Sequence, residues 1–122
     1  MRKPIKMQIS KLIESEEFAE RIKKYHPEAE FRENTDKRTI EAIIQCDRLD
    51  ECEKCAVEIN YAENYVRLRF LGKGVVQLKG KEDKEKELEI RYTASCCLAK
   101  YFDLPEPNMD DVIKEAGIKQ NL

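Results

Sequence analysis

Two consecutive segments decide the fold: Thr39-Ile40-Glu41-Ala42-Ile43-Ile44-Gln45-Cys46, then Asp47-Arg48-Leu49-Asp50-Glu51-Cys52-Glu53-Lys54-Cys55. The first is β-branched, and Ile40, Ala42, Ile44 and Cys46 fall on one side of an extended chain. The second is a polar, acidic connection, and with Cys46 at its start it brings together three of the five cysteines. Beyond it, Val57, Ile59 and Tyr61 alternate with Glu58 and Asn60. Alternation on both sides of a polar link predicts two antiparallel neighbours, 39–46 and 56–61, joined through the cysteine segment.

The same period continues downstream. Ala62-Glu63-Asn64 is a tight connection, and Val66, Leu68 and Phe70 alternate with Arg67 and Arg69. Gly72-Lys73-Gly74 is a flexible turn, after which Val76 and Leu78 alternate with Gln77 and Lys79. Upstream, Ala29-Glu30-Phe31-Arg32 is a short strand, and Asn34-Thr35-Asp36-Lys37 has turn chemistry. Residues 1–9 read as an arm or an edge segment. Short loops between alternating strands predict a meander.

Helical spacing appears at three places. Phe18, Ala19, Ile22 and Tyr25 predict a helix over 11–25, with Ser15 as its cap and Pro27 beyond its end. A second helix is expected over 84–102, capped by Asp83. It carries two apolar stripes: Leu88, Tyr92, Cys96, Ala99 and Phe102, and then Ile90, Ala94, Cys97 and Tyr101. Residues 88–92 also alternate, so a strand there is an open alternative. Asn108 caps a last short helix that stops at Gly117. The expectation is one α+β domain over 1–122. It has an antiparallel meander sheet of four or five strands, covered on one face by two helices, and a short C-terminal helix.

Composition narrows the function classes. The chain has 122 residues, 39% of them charged, yet a net charge of only −2. Interleaved signs give no general attraction to polyanions or to anionic membranes. Runs such as Lys81-Glu82-Asp83-Lys84-Glu85 resemble the ion-pair-rich surfaces of thermophile proteins. No apolar run reaches the length of a membrane span, and none of signal-peptide length follows Met1. A cytoplasmic address is the resulting expectation.

Three function classes follow. The leading one is a small non-enzymatic binding or regulatory domain that self-associates or takes a protein partner. It rests on the second apolar stripe of helix 84–102 and on the lack of a catalytic cluster. The chain has a single histidine, no Gly-x-Ser-x-Gly and no phosphate-binding glycine loop.

The second class is a metal or thiol-redox module on Cys46, Cys52 and Cys55. Cys52-x-x-Cys55 has the spacing used by zinc and redox sites, and zinc or an iron–sulfur centre would need a fourth ligand. No cofactor is required by the sequence. The alternatives for these thiols are a disulfide of Cys46 with Cys52 or Cys55, or no chemical role at all. Cys96 and Cys97 read as core residues. The third class, disfavoured by the balanced charge, is single-stranded nucleic acid bound on the wet sheet face by Tyr65, Arg67, Arg69 and Lys79. Against it, Glu58–Arg67 and Glu41–Arg69 are expected as ordinary cross-strand pairs, with alanine at either arginine costing no more than ~0.5 kcal/mol.

Overall fold

Thr39–Gln45 (β3) and Lys54–Asn60 (β4) pair antiparallel, with Ile40 opposite Ile59 and Ile44 opposite Cys55. This is the pairing expected across the cysteine segment. The computed structural model describes residues 2–46, 54–72 and 80–117. The expected strand over 76–79 lies outside the described residues, as do Cys52 and Lys79.

The turns are built by asparagines. Asn60 Oδ1 accepts from the amides of Ala62 and Glu63, and Asn64 adopts φ 55°. A left-handed residue of this kind reverses the chain tightly, and asparagine tolerates it better than most residues. It returns the chain as Tyr65–Phe70 (β5), antiparallel to β4. On the other side, Asn34 Oδ1 accepts from Lys37 N and joins Glu30–Asn34 (β2) to β3. The first residues form Ile5–Gln8 (β1), an edge strand beside β5. The sheet order is therefore β1-β5-β4-β3-β2, a meander of β2 to β5 with β1 added outside the last strand.

Three helices follow the expected order with shifted starts. Ser15–Tyr25 (α1) begins with Ser15 inside the helix rather than capping it. Glu14 O already accepts from Phe18 N, so Glu14 takes the cap position, and no side chain caps the helix. Residues 11–14 stay outside the helix, burying Ile13 while Leu12 is exposed. Lys81–Tyr101 (α2) is continuous through 88–92, which settles the strand alternative in favour of helix. It starts at Gly80, so Asp83 lies in the first turn, where its charge suits the helix dipole. Met109–Ala116 (α3) has the expected ends: Asn108 Oδ1 accepts from Asp111 N, and Gly117 closes it at φ 66°.

The core lies between the inner sheet face and the helices. Phe18 is fully buried, stacked on Phe102 with centroids 5.9 Å apart and edge-on to Phe31. The sheet-facing side of α2 is Ile90, Ala94, Cys97, Leu98 and Tyr101, which join the main core cluster. Four of these belong to the stripe that sequence reading treated as surplus. Leu88 and Ala99 of the other stripe are buried outside that cluster, where α3 lies against α2 and buries Val112. Tyr92, expected in the core, is only half-buried. It borders a depression shared with Leu104 and Glu106.

An ion pair clasps α1 to the end of α2. Arg21 donates to the Asp103 carboxylate at 2.8 Å and to Tyr101 O. Hydrogen bonding to Arg21 holds the Asp103 carboxyl below its ordinary value of 3.8. A depressed acid contributes stability above its unfolded pKa and loses it as pH falls through the folded one. The melting temperature of Asp103→Asn should therefore fall below the parent's at neutral pH. The gap should close on acidification below about 3.8, as read by thermal melts across pH.

Candidate functional site: the open face of the sheet

Strand register arranges the outer sheet face into rows. One row runs Gln8, Tyr65, Asn60, Thr39, Asn34. The next runs Lys6, Arg67, Glu58, Glu41, Arg32. A third runs Arg69, Ala56, Ile43, Glu30. Basic side chains thus gather on β1 and β5, and carboxylates on β4, β3 and β2, with Arg32 the exception at the far edge.

The middle row sets Glu58 directly opposite Glu41, a like-charge pair that would repel. Two arginines relieve it. Arg67 pairs with Glu58 on the adjacent strand. Arg69 reaches across β4 to Glu41, Nη2 to Oε2 at 2.6 Å. The residue it crosses is Ala56, whose small, fully buried side chain leaves room for the bridge. These long side chains also cover Glu58 and Asn60, so β4 is buried on both faces. The outer face is therefore not uniformly wet, as simple alternation implied. The Nε–H groups of Arg67 and Arg69 are buried and make no hydrogen bond to the described residues.

Tyr65 is engaged as well. Lys6 Nζ sits 4.0 Å from its ring centroid, and Asn60 Nδ2 donates to its hydroxyl at 3.4 Å. Gln8 pins the edge strand to the neighbouring turn by donating to the carbonyls of Glu63 and Asn64. Much of the first two rows borders a shallow depression of about 790 Å³ that includes Arg32, Glu41, Glu58, Tyr65, Arg67 and Arg69.

Both arginine pairs expected from the sequence are present, but the Arg67 pair is worth more than an exposed one. The Glu58 side chain is only 6% accessible. Removing Arg67 leaves a buried carboxylate facing Glu41, and unpaired buried charge is costly. Arg67→Ala should therefore destabilise by about 1–2 kcal/mol, and Arg69→Ala by no more than about 1 kcal/mol, because Glu41 is more accessible. Urea denaturation of the two variants checks the order. Equal costs for the two would contradict it.

Of the three cysteines that the spacing singled out, the structure describes Cys46 and Cys55. Cys46 and Cys55 both bury in the core at one end of the inner face. Cys46 Sγ lies 4.0 Å from Cys97 Sγ on α2. Among the described residues, no group of three or more His, Cys, Asp or Glu side chains is arranged to hold a metal ion.

Sequence reading also missed a pair near this same end of the sheet. His26, at the C-cap of α1, has Nε2 2.7 Å from the Tyr101 hydroxyl. The two lie 75 residues apart, and no local pattern connects them. His26 lines a cavity of about 340 Å³ together with Gln45 and Lys54. Comparison with family models, curated proteins and solved structures finds no match to this chain.

Proposed function

We propose that this chain is a small non-enzymatic binding domain that works through the open face of its sheet, with a second copy of itself as the partner. The observation that carries this is the charge layout of that face. Lys6, Arg67 and Arg69 lie on one half, and Glu58, Glu41 and Glu30 on the other. A two-fold axis lying along the central strands would set the basic half of one copy over the acidic half of the other. Such an interface uses the same patch twice and is self-complementary.

The same features argue against a nucleic-acid strand. Beside each arginine stands a carboxylate that would repel a phosphate backbone, and Lys6 covers a face of the Tyr65 ring. Stacking a base there would first displace Lys6.

Sedimentation equilibrium at low and high salt tests the proposal. A dimer at low salt that weakens at high salt, and is lost in Arg69→Glu, is the expected result, because salt screens exposed charge pairs. A salt-insensitive monomer at every concentration would overturn it. So would tight, salt-dependent binding of single-stranded RNA.

A further inference from the structure

We propose that Cys46 and Cys97 are a disulfide-forming pair, a modification site that staples the end of β3 to α2 when the protein meets an oxidant. The pair is not the one that the Cys52-x-x-Cys55 spacing suggests. Cys46 immediately follows β3, with its side chain on the inner face. Cys97 lies on the sheet-facing stripe of α2. Their sulfurs are 4.0 Å apart. A disulfide needs a separation of about 2.05 Å, so each sulfur has to move by only ~1 Å, within reach of small side-chain rotations.

The setting suits a slow, reversible reaction. Both thiols are nearly inaccessible, at 3% and 5% exposure. A small-molecule disulfide therefore reaches Cys46 only when the end of the β3 ladder opens locally. The thiolate of Cys46 then attacks one sulfur of that oxidant. A mixed disulfide forms, and one small thiol leaves. On reclosure the Cys97 thiolate attacks the Cys46 sulfur, the protein disulfide forms, and the second small thiol departs. Two S–H groups are lost from the protein, and the oxidant is reduced to two thiols. Neighbouring Cys55, also on the inner face, is the natural competitor.

The cross-link would join residues 51 apart in sequence. Closing so long a loop restricts the unfolded chain strongly, so the oxidised form should melt roughly 10 °C higher.

The experiment treats the full chain with oxidised glutathione, blocks the remaining thiols, and maps disulfides by peptide mass spectrometry. The expected result is a Cys46–Cys97 linked peptide, an intact mass lower by two hydrogens, and the higher melting temperature. A reductant should reverse all three. Cys97→Ser, or Cys97→Ala should the serine variant fold poorly, should abolish the temperature rise. The map of the unsubstituted chain stands whatever the variants do. Pairing of Cys46 with Cys52 or Cys55, glutathione adducts that never resolve, or unreacted thiols would each overturn the assignment.

Discussion

Phe18→Ala is expected to lower the free energy of unfolding by about 4 kcal/mol. Phe18 is fully buried on α1 and touches Phe31 of β2 and Phe102 just past α2. It is the side chain through which α1, the sheet and α2 meet. Truncation removes the transfer free energy of an aromatic ring and leaves a cavity that three separate elements cannot easily close. Phe18→Leu keeps most of the volume and should cost less than half as much. Chemical denaturation with far-ultraviolet circular dichroism reads both. A Phe18→Ala cost near 1 kcal/mol would mean that α1 is not anchored as described.

Arg91→Ala is the second large effect, expected at about 3 kcal/mol. Arg91 is a charged side chain with only 3% of its surface accessible. Its Nη1 donates to Lys3 O at 2.6 Å, and its Nη2 faces Glu115 at 3.4 Å. It thereby ties α2 to the arm before β1 and to α3. Burial pushes its pKa down, while Glu115 and Glu87 push it back up. Alanine leaves a cavity and strands the Glu115 carboxylate and the Lys3 carbonyl. Arg91→Met refills the space but leaves the same Glu115 carboxylate and Lys3 carbonyl without their donor, so it should recover only about 1 kcal/mol of the alanine loss. If methionine costs as much as alanine, the charge and not the packing holds this junction together.

Strands β3, β4 and β5 were legible because each places apolar residues at every second position, and the asparagine turns signal themselves through side chains that bond their own backbone. The Glu58–Arg67 pair was legible for the same reason, since a known register names the residue opposite. What escaped was longer-range. Which stripe of α2 faces the sheet depends on where α3 lies, and nothing in residues 81–101 encodes that. The Arg69–Glu41 pair was itself expected; what was not foreseen is that it spans the intervening β4 over Ala56. The contacts of Cys46 with Cys97 and of His26 with Tyr101 join residues 51 and 75 apart, where no spacing rule applies. The Cys-x-x-Cys spacing turns on Cys52, outside the described residues, whereas the approach of Cys46 to Cys97 runs from the sheet to a helix.

The central claim is that the charged outer face of the sheet is the working surface. An amide NMR dilution series at low salt tests it most directly. Concentration-dependent shifts should gather at Lys6, Glu41, Glu58, Tyr65, Arg67 and Arg69, and fade when salt is added. Shifts confined to Tyr92, Cys96 and α3, or a spectrum unchanged by concentration, would contradict it.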